Sequence, residues 1–177
     1  MHSDNEARTH INQILNYPKD SAGSIMTIEY VDLKRSMTVA DAFMRIRRTG
    51  VDKETIYTCY VTEKRKLIGV VSLKELLVSG DNRLIEEIME TNLLYVNTHD
   101  DQEEAVNIIS NYNLIALPVV DNDMRMVGIV TFDDAMDVIV EETTEDIEQM
   151  AGMLPSEKTY LRSNPWDLFK HRIPWLA

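Results

Sequence analysis

Two stretches of this chain decide how it folds: "IYTCYVTEKRKLIGVVSLKELL" at residues 56–77 and "IALPVVDNDMRMVGIVTFDDAM" at residues 115–136. They align without a gap. Ile56 meets Ile115, Val61 meets Val120, Gly69 meets Gly128, Val71 meets Val130, Ser72 meets Thr131, and Glu75 meets Asp134. An internal repeat of this length means that one supersecondary unit has been built twice. The similarity continues upstream, where "SIMTIEYVDL" at 24–33 answers "EIMETNLLYV" at 87–96 and "TVADAFMRI" at 38–46 answers "DQEEAVNII" at 101–109.

Each copy makes the same local prediction. A short extended segment, Tyr30–Leu33 or Leu93–Val96, leads into a helix that starts at Thr38 or Asp100. Apolar residues at helical spacing follow (Val39, Ala42, Phe43, Ile46; then Ala105, Val106, Ile109). An apolar strand, a charged turn ("TEKRK" or "DNDMR") and a second strand holding the glycine come next, and a final helix starts at Leu73 or Phe132. The order is β-α-β-β-α twice, an α/β (α+β) arrangement of two small sheets. Neither half can bury a large core alone, so the halves are expected to pack on each other.

The chain has 177 residues, is 44% hydrophobic and 27% charged, and carries a net charge of −12. That charge argues against nucleic acid, DNA included, as a partner, because phosphate binding needs a basic surface. The charge is also segregated. Residues 1–83 hold 13 Lys and Arg against 11 Asp and Glu, whereas residues 84–157 hold 18 acidic side chains and one basic one, Arg125. The single cysteine, Cys59, lies in the apolar run "IYTCYV" and reads as a buried thiol in a reducing compartment. No apolar run reaches the ~18 residues of a membrane span, and no secretory signal opens the chain. No Gly-rich phosphate loop, Ser-His-Asp set or His/Cys metal spacing is present, so a catalytic role is not expected.

The second repeat runs into an acidic segment. Asp134, Asp137, Glu141, Glu145 and Glu148 recur at three- and four-residue spacing, with Glu142 and Asp146 one step around the helix. Ala135, Met136, Ile139, Val140, Ile147 and Met150 form the opposite, apolar stripe. No Lys or Arg relieves these charges, and each like-charge i,i+4 pair costs about 0.2–0.5 kcal/mol. Two readings are open: a solvated acidic face, or a surface for a hard cation. Oxygen-only ligands suit Mg2+ or Ca2+, and Mg2+ keeps several waters and needs only one or two carboxylates per ion.

The duplicated motif, Gly69-Val-Val-Ser72-x-x-Glu75 and Gly128-Ile-Val-Thr131-x-x-Asp134, together with "LPVVD" at 117–121, resembles a tandem pair of CBS domains, named for cystathionine β-synthase. More of the chain is similar to the cytosolic part of MgtE-type magnesium transporters: "YPKDSAGSIMTIEYV", "YVNTHDDQEEAVNIISNYNLIALPVVD", "VGIVTFDDAMDVI" and "TTEDIEQMAGM". That resemblance implies a division into 1–20 (end of a truncated helical N-terminal domain), 21–83 (CBS repeat 1), 84–141 (CBS repeat 2) and 142–177 (connecting, or plug, helix and the start of a membrane domain). It implies a homodimer through the CBS pair, placed at the cytoplasmic face of the cell membrane, with the N-terminal and membrane domains of the full-length protein as further partners. Lys170, His171 and Arg172 ahead of "IPWL" fit a positive-inside flank.

The resemblance also implies ligands. Mg2+ would meet Asp101, Glu103, Asp134, Glu142, Glu145 and Asp146, closing the dimer when bound and letting carboxylate repulsion open it when absent. ATP would enter the cleft between repeats, against Ile115, Leu117 and Pro118, with Thr131 and Asp134 at phosphate and ribose. Thr131 and Asp134 equally suit a plain helix cap. A CBS pair sensing adenine nucleotides in another transporter or a metabolic enzyme is the alternative host.

Overall fold

A computed structural model describes residues 17–153. The expected N-terminal helix end at 11–16, the tail with Trp166, Trp175 and the basic flank 170–172, and the part of the connecting segment after 153 lie outside the described residues. The first repeat comprises α1 (Ala22–Ile25), β1 (Val31–Leu33), α2 (Val39–Thr49), β2 (Thr58–Glu63), β3 (Lys66–Ser72) and α3 (Leu73–Val78). The second comprises α4 (Ile85–Ile88), β4 (Val96–Asn97), α5 (Gln102–Tyr112), β5 (Ala116–Val120), β6 (Met126–Thr131) and α6 (Phe132–Met153). The two short helices α1 and α4 are additions to the expected order. They occupy matching places ahead of each repeat.

Each repeat forms a three-stranded sheet of the same topology, β1-β2-β3 or β4-β5-β6, with the first pair parallel and the hairpin antiparallel. The central strands are covered on both faces, so β5 is buried along its whole length. The helices begin where their caps dictate. Thr38 and Asp41 form a reciprocal capping box on α2, and Asp101 accepts from Glu103 N at 2.9 Å to cap α5. Both caps lie at or within one residue of the starts read from the sequence. Asn113 ends α5 in the left-handed conformation, φ 53°, which Asn tolerates better than most residues.

The repeats are interlocked. The segment leading into repeat 1 runs along repeat 2: Thr27 N donates to Ile129 O at 2.8 Å, Ile129 N donates back at 2.9 Å, and Gln102 N donates to Asp20 O. The segment leading into repeat 2 does the converse. Val70 and Glu90 exchange bonds of 3.0 and 2.8 Å, and Ile85 N donates to Met37 O. The motif glycines make this possible. A Cβ on Gly128 would lie 2.7 Å from Thr27 O and 2.8 Å from the Met26 sulfur, and a Cβ on Gly69 would lie 2.6 Å from the Met89 sulfur. Close approach of the lead-in segment, its backbone at Gly128 and the Met89 side chain at Gly69, rather than an unusual φ, favours glycine at both places. The hairpin tips also meet, through Leu67 N to Met124 O (3.0 Å) and Met126 N to Arg65 O (2.9 Å).

Two apolar clusters follow from this interlocking. One is centred on repeat 1, with Leu33, Val39, Cys59, Val61 and Leu76, and takes in Ile85 from α4 of repeat 2. The other joins the repeats, with Tyr60 and Leu67 packed against Ala116, Val120, Met126 and Ile129. The expected packing of one half on the other is this second cluster. The Tyr60 hydroxyl at its centre is buried with no hydrogen-bond partner among the described residues.

The chain separates into two compact units, with the division between Ala135 and Met136. The first holds both repeats and the start of α6; the second holds the rest of the chain. Helix α6 is continuous for 22 residues, so the expected border at 141/142 falls inside one helix. Met136 and Met150, expected on its apolar stripe, are exposed.

Candidate functional site: a cleft between the repeats and an acidic helix

In the first unit the strand ends of the two repeats converge on a cavity of about 430 Å3, within the ~300–1,000 Å3 usual for small-molecule sites. Repeat 1 contributes Glu54, Thr55 and Tyr57 from the segment ahead of β2. Repeat 2 contributes Asn113, Leu114 and Ile115 from the matching segment ahead of β5, and Thr131, Phe132 and Asp133 from the β6–α6 junction. Hydrogen bonds fix these segments. Phe132 N donates to Ile115 O at 2.8 Å, and Glu54 N donates to Glu29 O at 3.1 Å. Tyr57, Ile115 and Phe132 are among the large apolar side chains left exposed, at 60%, 51% and 48%. Apolar surface gathered around a concavity, rather than scattered, is the signature of a ligand site.

The junction holds the motif residues. The Thr131 hydroxyl donates to Asp134 Oδ2 at 2.9 Å and accepts from Asp134 N at 3.3 Å, so the pair closes the first turn of α6. Ile115 and Thr131 line the cavity, while Asp134 sits half-buried behind Thr131. Leu117 and Pro118 do not line it: they are buried in β5, Leu117 at 0% exposure. The β3–α3 junction of repeat 1 has the same frame. Ser72 Oγ accepts from Glu75 N at 3.1 Å, and Leu73 N donates to Tyr57 O at 2.9 Å.

The acidic residues are distributed, not caged. Asp101 caps α5 with Glu103 exposed beside it, and Asp134 starts α6; all three belong to the first unit. Glu142, Glu145 and Asp146 lie on α6 in the second unit, the last two exposed. Among the described residues no group of three or more His, Cys, Asp or Glu is gathered closely enough to hold a metal ion. Helix α6 nevertheless bears eight carboxylates and no Lys or Arg. Its i,i+4 pairs Glu141–Glu145 and Glu142–Asp146 offer the one or two carboxylates that suffice for a hydrated Mg2+. His99, beside "DDQEE", shares a 2.9 Å hydrogen bond between its Nδ1 and the Thr98 hydroxyl and meets Tyr17 edge-on.

The family model described as CBS domain matches this chain twice, at residues 22–80 and 85–141. This chain belongs to the CBS-domain family. The chain is 40% identical over 175 residues, 98% of its length, to the magnesium transporter MgtE of Thermus thermophilus, of which it spans 39%. It therefore covers about two-fifths of that relative. Its structure is similar to the soluble part of a magnesium transporter (38% identity, TM-score 0.73, 77% of this chain and 54% of the other). It is also similar to the cytosolic domain of the Mg2+ channel MgtE solved in complex with ATP (41% identity, TM-score 0.70, 75% and 54%).

Sequence reasoning had placed Ile115 and Thr131 in the CBS cleft but missed Glu54, Thr55, Tyr57, Asn113, Leu114, Phe132 and Asp133. The signal was present. "ETIY" at 54–57 aligns with "NLIA" at 113–116, so a cleft touching one segment by pseudo-symmetry touches the other. No helix among the described residues is long and apolar enough to cross a membrane.

Proposed function

We propose that this CBS pair is the regulatory module at the cytoplasmic face of an MgtE-type magnesium transporter, working as a homodimer that senses Mg2+ and relays its occupancy to a pore in the membrane. The observation that carries this reading is α6, whose eight carboxylates have no basic residue on their own helix. A helix so charged resists the approach of any other acidic surface, and bound divalent cations relieve that resistance. Glu142, Glu145 and Asp146 on α6, with Asp101, Glu103 and Asp134 on the CBS pair, are the proposed ligands. Each supplies one or two oxygens to an ion that keeps much of its water shell. The metal shifts the module toward a closed state only by binding that state more tightly than the open one. The module acts by binding, not by catalysis.

The cavity favours a second input. Its aromatic and aliphatic walls, the hydroxyls of Thr55, Tyr57 and Thr131 and the Asn113 amide suit an adenine nucleoside, and the Thr131–Asp134 pair stands at its edge. ATP is the proposed ligand, which would tune the response to Mg2+. Titrating MgCl2 at constant ionic strength while following melting temperature and hydrodynamic radius tests the primary reading. A rise in melting temperature with contraction at millimolar Mg2+ supports it. A flat response to Mg2+ beside a clear response to ATP moves the module to the alternative, an adenine-nucleotide sensor in another host.

A further inference from the structure

The cavity between the repeats carries charge of the same sign as the phosphates of its proposed ligand. Of its nine lining residues, Leu114, Ile115, Tyr57 and Phe132 form apolar walls, and Thr55, Asn113 and Thr131 are polar but neutral. The remaining two, Glu54 and Asp133, are acidic, and none of the nine is Lys, Arg or His. A helix N-terminus ordinarily attracts phosphate through its free N–H groups and dipole. Here the first turn of α6 already carries Asp133 and Asp134, and the Thr131 hydroxyl is engaged with the Asp134 carboxylate. The pseudo-equivalent of Asp133 in repeat 1 is Lys74, so the two strand-to-helix junctions carry opposite charges at matching positions of the repeat.

We infer that this cavity accepts a nucleoside body directly but admits a phosphate chain only when a divalent cation accompanies it. The inference rests on the nucleotide reading of the same cavity. The apolar walls are indifferent to the ligand's charge, whereas an ATP tail placed beside Asp133 meets a like charge with no basic side chain on the lining to offset it. Magnesium on the phosphates removes most of that repulsion. Nucleotide binding at this cleft would then depend on Mg2+ through the ligand itself, separately from any ion held on α6.

Backbone amide resonances of Asn113, Ile115, Thr131 and Asp133 report on this cleft alone. They would be followed while the chain is titrated with adenosine and with ATP, each in MgCl2 and in EDTA, and with MgCl2 alone as baseline. Adenosine is expected to shift them at the same midpoint in both buffers. ATP is expected to do so in MgCl2 and at least about tenfold more weakly in EDTA. Asp133→Lys, which copies repeat 1, is expected to bring the ATP midpoint in EDTA close to that in MgCl2, with Asp133→Asn intermediate, each read relative to the same variant's adenosine midpoint. Equal ATP midpoints in EDTA and MgCl2 would overturn the charge inference and leave the nucleotide reading standing. No shift with adenosine or ATP in either buffer would overturn that reading, and the inference with it.

Discussion

The two repeats build the same frame around chemically different strand-to-helix junctions. In repeat 1 the strand-to-helix junction reads Ser72-Leu73-Lys74-Glu75; in repeat 2 it reads Thr131-Phe132-Asp133-Asp134. Both hydroxyls cap the next helix, and both helices are anchored by a donated bond to a backbone carbonyl of the segment ahead of the central strand, Tyr57 O or Ile115 O, one position apart in the aligned repeats. What the duplication keeps is the machinery of assembly: the glycine, the hydroxyl cap and the interlocking lead-in. What it lets diverge is the charge presented at the cleft, and the helix that follows. Helix α3 has six residues with one basic and one acidic side chain, whereas α6 has 22 residues with eight acidic and no basic ones.

The interlock is where the comparison breaks most easily. The Cβ of Gly128→Ala would press on the Thr27 carbonyl, which is held in place by accepting from Ile129 N. The Cβ of Gly69→Ala meets only the flexible Met89 side chain. Gly128→Ala is therefore expected to cost about 1–3 kcal/mol in urea unfolding, and Gly69→Ala distinctly less. Equal costs would mean that the two clasps are equally rigid. Tyr60 offers a second break, because the pseudo-equivalent position holds Val119 and needs no polar partner. Tyr60→Phe removes a buried hydroxyl without a partner and is expected to raise stability by about 1 kcal/mol. A loss of that size would show that the hydroxyl is satisfied in solution.

The acidic helix gives a smaller effect. Changing Glu142 and Glu145 to Gln and Asp146 to Asn removes like-charge pairs and is expected to stabilise the metal-free chain by about 0.5–1 kcal/mol, in proportion to the pairs lost. The smallest effect concerns Cys59, where repeat 2 has Pro118. Burial pushes the Cys59 thiol up to about 12. It stays protonated in the fold, so its share of stability is intact below the ordinary thiol value of about 8.5 and declines as pH rises from there toward 12. Iodoacetamide at pH 8 is expected to label the urea-unfolded chain and to spare the folded one; equal labelling would contradict the buried placement.

Much of this was legible because the repeat could be aligned with itself. Helix starts at Leu73 and Phe132, the strand pair around Gly69 and Gly128, and the burial of Cys59 follow from periodicity and local motif. The exchange of Thr27 with Ile129 and of Glu90 with Val70 was not, since pairing across about 100 and 20 residues leaves no periodic trace. Leu117 and Pro118 read as cleft wall because they adjoin Ile115. Their place on a central strand with both faces covered puts them in the core instead. Tyr57 reaches the cleft through the two-fold relation of the repeats, not through its own sequence neighbours, whereas Asp133 reaches it from the same junction as Thr131.

The proposal that α6 carries the cation response is tested most directly by the melting temperature of the wild-type chain and of the Glu142→Gln, Glu145→Gln, Asp146→Asn variant across an MgCl2 series at fixed ionic strength. A ligand that binds the folded state raises its stability with concentration. The expected result is a progressive rise for the wild type and a strongly reduced rise for the variant, which starts from the higher metal-free value. The same rise in both chains would contradict the assignment of α6 as the sensor, and no rise in either would contradict the Mg2+ reading altogether.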